Sequence, residues 1–260
     1  MLASQRAFFD ALIVMTILVM AILLAPAARA QDGLRPPVGG VISPADAMIF
    51  YLARGQDGAC GPDCTEWIAA EGIVEWDTFK RLFAFAARLG ERKLPVILNV
   101  WGESDLKVAM SLGKIIRDRG LDVSAGKTVV AGCADATEIA CMALKRSGKS
   151  LDAAIDTSAV ECDTVCVLIL AGGVHRTLPA GAKVFIGPTH VRDRLAPNVS
   201  EERQKGLLAY YGDQYRIYLK QMGVATDVVG IIEQNAASGR ATLLSRADWL
   251  RLGIVTGPAP

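Results

Sequence analysis

The run from Pro95 to Val100 (PVILNV) most narrows the folds open to this chain. It is continuously apolar and rich in β-branched residues, with no alternation of apolar and polar positions. That pattern marks a strand covered on both faces, as in parallel sheets. Such a strand needs helices around it, and the flanking sequence supplies them. Trp76 to Leu89 places Trp76, Phe79, Leu82, Phe83, Ala86 and Leu89 at helical period, as residues that pack a core. After the turn Asn99 to Ser104, either Ser104 or Asp105 can cap a second helix, which runs to about Arg119 and stops at Gly120. Strand and helix in alternation predict an α/β architecture with a largely parallel buried sheet flanked by helices. The 260 residues fit one such domain with a substantial core.

Further elements follow in order. Ala47 to Ala53 and Ile68 to Val74, the latter bent at Gly72, read as strands. Asp122 to Ala131 is a strand region, Glu138 to Arg146 a helical segment, and Ala153 to Val160 a strand or extended approach. Glu201 to Met222, with Leu207, Tyr210, Tyr211 and Tyr218, is a long amphipathic helix read as a cover for the sheet, with a contact surface as the other reading. Thr226 to Ala237 is another helix. Leu244 to Leu252 is a short one capped by Ser245, and Ile254-Val255 closes the fold. Gly126-Lys127-Thr128 imitates a phosphate loop, but five residues separate Gly120 from Gly126 where the motif needs four, so it reads as a strand entry.

The N-terminal segment gives an address. Arg6 is followed by an apolar core from Leu12 to Leu24 and by Ala28-Arg29-Ala30, a small-x-small cleavage site. Residues 1–30 are therefore expected to be a signal peptide cleaved before Gln31. Residues 31–43 form a linker, and 44–257 the folded domain. The alternative is an uncleaved anchor, the apolar stretch being near the lower limit for spanning a bilayer. Either way the folded part lies outside the cytoplasm, in the periplasm or secreted. Six cysteines fit that address: Cys60/Cys64, Cys133/Cys141 and Cys162/Cys166. An even count in an exported chain favours disulfides. Proximity suggests the pairs just given, although sequence alone leaves the connectivity open. Zinc is a minor alternative, because His175 and His190 lie in no metal-binding spacing. No cofactor is expected. A net charge of +1 gives no reason to expect nucleic acid.

The chemistry-bearing stretch is Glu161 to Gly187. A small polar turn, Cys162-Asp163-Thr164, precedes an apolar run from Val165 to Ala171 that Gly172 and Gly173 stop; a strand, Ala182 to Ile186, follows. A hydroxyl at the start of a buried helix is either an N-cap or a nucleophile at the helix's positive end, and these residues alone favour Thr164 as the cap.

Over roughly Trp67 to Thr256 the chain resembles the ClpP/crotonase fold, in particular exported bacterial relatives of the proteolytic subunit of Clp protease. LNVWGES resembles the family's Asn-Ser-Pro-Gly-Gly turn, and CDTVCVLILAGG the Cys-x-Ser-x-Cys helix start that carries the nucleophile. AGAKVFIG resembles the strand ending in the catalytic His, and LLSRADWLRLGIV the C-terminal segment. The resemblance implies a Ser/His/Asp site, but the residues at its positions differ. The nucleophile falls on Thr164, the base on Gly187 and the third member near Asn235. The oxyanion turn keeps Gly102 but puts Glu103 beside it, with the Val165 amide as the second donor position. Losing a triad member removes on the order of 10⁴ to 10⁶ in rate. The expectation is a non-catalytic scaffold or binding module for a protein or peptide. The alternative is a peptidase or esterase using Thr164 with His190, three residues past the family's position, oriented by Glu103 or Asp193. A third idea is thiol chemistry by Cys162 and Cys166 flanking the site, with Cys162 reactive at the helix N-terminus if unpaired. The resemblance also implies a homo-oligomer; membrane contact is expected only if the leader stays attached.

Overall fold

A computed structural model describes residues 46–102, 104–187 and 200–257. The expected leader, linker and start of the domain (1–45) lie outside these, as do Glu103, His190 and Asp193.

Among the described residues, ten strands form two sheets. The larger has the order β5-β6-β1-β2-β3-β4-β8, and the smaller β10-β9-β7. The strands are β1 (Ile49–Arg54), β2 (Glu66–Gly72), β3 (Val96–Val100), β4 (Val123–Ala125), β5 (Lys127–Val130), β6 (Leu151–Asp156), β7 (Glu161–Cys162), β8 (Arg176–Thr177), β9 (Lys183–Ile186) and β10 (Thr242–Leu244). The helices are α1 (Thr78–Leu89), α2 (Leu106–Asp118), α3 (Glu138–Lys145), α4 (Thr164–Leu170), α5 (Glu201–Gln221), α6 (Asp227–Ser238) and α7 (Arg246–Arg251). β2-β3, β3-β4, β4-β8 and β1-β6 pair in parallel, while β1-β2 and β5-β6 are antiparallel. The molecule is thus α/β with a largely parallel central sheet.

β3 sits inside that sheet, as its apolar run requires. Val96 and Leu98 face a core with Leu82, Leu112, Ile116 and Leu168, whereas Ile97 faces a second core with Tyr51, Trp67 and Leu151. Alternation therefore survives in β3 as a choice between two cores. α4 is buried at all seven residues, matching its uniform apolarity.

The strand expected over Asp122 to Ala131 is two strands. Gly126 divides them, donating its N–H to the Leu98 carbonyl oxygen at 2.9 Å. β4 stays beside β3, while β5 leaves to pair antiparallel with β6. The strand expected from Ala153 instead begins at Leu151 and ends at Asp156. Lys127 is the exposed first residue of β5, and the Thr128 hydroxyl accepts from the Trp67 indole at 3.0 Å, so this segment is structural.

Helix ends follow capping rules. Asp105, not Ser104, caps α2, accepting from the Lys107 and Val108 N–H groups. Ser104 instead accepts from the Val74 N–H at 2.8 Å. Ser245 caps α7 in a capping box with Asp248. In α5, Tyr215, Tyr218 and Leu219 are buried, as a sheet cover requires, while Tyr210 is exposed; the Leu207 side chain lies outside the description. Burial, with the Asp105 charge adding, pushes the Tyr215 phenol up to about 12.

Three disulfides staple the domain: Cys60–Cys64, Cys133–Cys141 and Cys162–Cys166. These are the pairs that proximity suggests. No described cysteine is free, which removes both the zinc alternative's thiolates and the thiol chemistry considered for Cys162. Three disulfides fit an oxidising compartment. Among the described residues no helix is long and apolar enough to cross a membrane.

Candidate functional site

The candidate site lies where the start of α4 meets the end of β9. β7 and β9 run in parallel, with Cys162 opposite Val184, so residues just past both strand ends are neighbours. Thr164 follows β7 and Gly187 follows β9. The Gly187 N–H donates to Thr164 Oγ1 at 2.9 Å. A Cβ built on Gly187 would lie 3.9 Å from the same oxygen. The side-chain position after β9 therefore adjoins the hydroxyl, and glycine leaves it without a proton acceptor.

Asn235, on α6, reaches the same strand end. Its Nδ2 donates to the Ile186 carbonyl oxygen at 2.7 Å, and its Oδ1 accepts from the Thr242 hydroxyl at 3.0 Å. Asn235 is buried. Thr164, Gly187 and Asn235, far apart in sequence, thus converge on two consecutive residues of one strand end. Both ends of the Asn235 amide are engaged in holding β9, α6 and β10 together.

The expected cap at Thr164 is corrected. Asp163 is the N-cap, accepting from the Cys166 N–H at 2.9 Å, and Thr164 is the first helical residue. The Val165 N–H is aimed at the same carboxylate. The backbone donors at this helix start, including the amide expected to face an oxyanion, are therefore directed at a resident anion. Burial raises the Asp163 carboxyl above its ordinary value, against the lowering pull of these N–H groups. An Asp directly before an apolar run is itself a helix-start signal.

Gly102, the retained oxyanion-turn residue, has φ +72°. A Cβ there would sit 2.7 Å from Ile73 Cδ1, a side-chain tip that can move aside, so it is the positive φ that calls for glycine. The turn is anchored to the β2 exit through Ser104 and through the Asp105 N–H, which donates to the Val74 carbonyl oxygen. Glu103, His190 and Asp193 lie outside the described residues. His175 is exposed and pairs through Nδ1 with Asp122 Oδ1 at 2.8 Å, at the N-terminal ends of β8 and β4. Among the described residues no His/Cys/Asp/Glu group is placed to hold a metal ion.

No protein-family model matches the chain, and no curated protein matches it in sequence. Among solved structures it is similar to a mutant ClpP1 from Listeria monocytogenes at 11% identity and TM-score 0.40, over 69% of this chain and 80% of that one. It is also similar to a structure described only as an enzyme, at 9% identity and TM-score 0.44, over 71% of this chain and 90% of that one. Likenesses at this level assign no family.

Proposed function

We propose that this chain is an exported, non-catalytic module that keeps a ClpP/crotonase-like framework and uses it to bind a protein or peptide. The hydrogen bond from Gly187 N–H to Thr164 Oγ1 is the observation that carries this reading. A nucleophilic hydroxyl needs a base to take its proton. Here the hydroxyl spends acceptor capacity on a backbone donor, and the neighbouring position has no side chain.

Two further features support the reading. Asn235 occupies the third position but ties down the Ile186 carbonyl and the Thr242 hydroxyl. The Asp163 carboxylate at the α4 start disfavours a second negative charge forming beside it. Export rests on the leader ending at Ala30 and on three disulfides. Self-association belongs to the same reading, through the resemblance of the sequence motifs.

The test is a fluorophosphonate probe and a peptide library applied to the oxidised protein. The expected result is no labelling at Thr164 and no cleavage. Stoichiometric labelling at Thr164 overturns the reading in favour of a peptidase or esterase using Thr164 with His190.

A further inference from the structure

The outer face of α1 combines aromatic and basic residues and has no partner among the described elements. Leu82, Phe85 and Ala86 turn inward, while Lys80, Phe83, Ala84 and Ala87 turn outward. Phe83 is 62% exposed, a large apolar group for an outward position. Trp76 and Phe79 lie half-buried on its flank. Lys80 Nζ stands 5.3 Å from the Trp76 ring centroid and 5.9 Å from that of Phe79. Arg88 stands 5.6 Å from the Phe85 ring. The helix carries Lys80, Arg81 and Arg88 and no carboxylate. Of the acids beside it, Asp77 pairs with Arg81 at 3.0 Å, Glu75 lies ahead of the helix next to Trp76, and Glu91 lies past its end. Arg119 adds a cation there, donating to the Ala86 and Gly90 carbonyl oxygens.

We infer that this face docks on an anionic lipid surface. Three arguments select that occupant. A second copy meeting α1 through a two-fold axis would set Lys80 and Arg88 against the same cations, a like-charge contact. Nucleic acid is disfavoured because a phosphate backbone offers no apolar phase to Phe83, which is 62% exposed among the cations. A bilayer interface matches both halves of the face: Trp and Phe settle at headgroup depth, and Lys and Arg are drawn to anionic headgroups. Arg81, on the helix flank, also donates to the Ala47 and Met48 carbonyl oxygens. Docking here is peripheral and electrostatic, and distinct from insertion of an apolar leader.

The experiment uses the full chain with vesicles of phosphatidylcholine alone or mixed with phosphatidylglycerol, bromine-labelled on the acyl chains. Tryptophan quenching is read in a Trp101→Phe background, because Trp101 is 43% exposed outside α1; there Trp67 and Trp249 are buried, and Trp76, against Lys80, reports the face. The expected result is quenching with the anionic vesicles only, weakening with salt and absent in Trp76→Phe. Lys80→Glu with Arg88→Glu is expected to weaken it by roughly tenfold or more. Both positions are exposed, and an unchanged thermal transition in that variant confirms its fold. Equal quenching by both vesicle types, quenching that survives the double charge reversal, or quenching that persists in Trp76→Phe overturns the proposal. So does a Trp76 spectral change that grows with protein concentration without vesicles, which would give the face to a second copy.

Discussion

Arg176 donates through Nη1 to the Met222 carbonyl oxygen at 2.9 Å, deep inside the molecule and with no carboxylate in the arrangement. The same guanidinium reaches Ala171 and Gly173 at 3.3 Å each and Gly253 at 2.9 Å. Arg117 donates to Ala171 and Met222 as well. Ala171 and Met222 are the C-caps of α4 and α5, and Gly253 follows α7. The orphan carbonyls of converging helix ends are thus satisfied by two cations, which also suit the negative poles of those helices. Burial, then the Arg117 charge, lowers the Arg176 pKa from its ordinary value.

Arg176→Met is expected to lower unfolding stability by about 2–4 kcal/mol, because several buried carbonyls lose their donor together. Arg176→Lys is expected to recover less than half of that loss. A single ammonium cannot span acceptors that a planar fork reaches from two nitrogens. Urea unfolding of the three proteins checks this; equal stability of the Lys variant and the parent would show that charge, not the fork, matters.

Asp163 gives a prediction in pH. Its folded-state pKa lies above the ordinary 3.8, raised by burial. A raised carboxyl contributes stability that is fully present below 3.8 and lost as pH rises through the folded value. The charged form is therefore the less comfortable one at neutrality, although it caps α4. Asp163→Asn keeps a capping oxygen and removes the charge. It is expected to be at least as stable as the parent at neutral pH, with a flatter stability profile above pH 3.8. Asp163→Ala, which removes the cap too, is expected to lose about 1 kcal/mol. Denaturant titrations across the acid range measure all three, and an Asn variant as unstable as the Ala variant at neutrality would contradict the account.

The sequence made the centre of the fold readable and its seams much less so. PVILNV became β3 because uninterrupted apolarity has one common use in an α/β chain. The cysteine pairs followed from proximity along the chain. Ser245 was readable as a cap because its box partner Asp248 is local. The two-residue strands β7 and β8 are too short to leave a periodic pattern, and the division at Gly126 depends on where β6 lies. An arginine in a sequence reads as surface. Arg176 is buried only because three helix ends meet around it, which no local pattern records. At the candidate site, the positions of Thr164, Gly187 and Asn235 came from ordered motifs. The roles of Asp163 and the Asn235 amide needed coordinates, because they are set by contacts between distant elements.

Gly113 on α2 lies beneath Tyr218 of α5. A Cβ at Gly113 would fall 1.8 Å from the Tyr218 hydroxyl oxygen, which donates to the Leu168 carbonyl oxygen at 2.6 Å. Glycine is therefore required by close approach, although its φ is ordinary. Gly113→Ala is expected to cost about 2–3 kcal/mol, as overpacking of a tight core does, in spite of alanine's better helix propensity. Tyr218→Phe removes the obstructing oxygen and one hydrogen bond, at about 1 kcal/mol. The double variant is expected to be more stable than the sum of the single losses implies, by roughly 1 kcal/mol, since the worst contact is gone and only the 3.0 Å approaches to the Leu168 carbonyl oxygen and the ring carbon remain. A thermodynamic cycle with strictly additive losses would mean that the helices separate instead of meeting at this oxygen.

The Cys162–Cys166 disulfide joins β7 to the first turn of α4, on either side of Thr164. Both cysteines are buried, and Cys162 pairs with Val184 of β9 in the small sheet. The link thus fixes the helix start against the strand that presents Gly187. With a sequence separation of 4, the loop it closes is short, and the chain-entropy contribution is about 2 kcal/mol. Replacing both cysteines with serine is expected to cost about that amount plus the desolvation of two buried hydroxyls, roughly 1 kcal/mol or more each. Replacing both with alanine is expected to cost less than the serine pair for the same reason. Amide exchange gives the local signature: the Gly187 N–H, held by Thr164 Oγ1 at 2.9 Å, is expected to lose protection before the amides of β3 do. If the Gly187 amide stays as protected as β3 in the alanine pair, the disulfide is not what positions the hydroxyl.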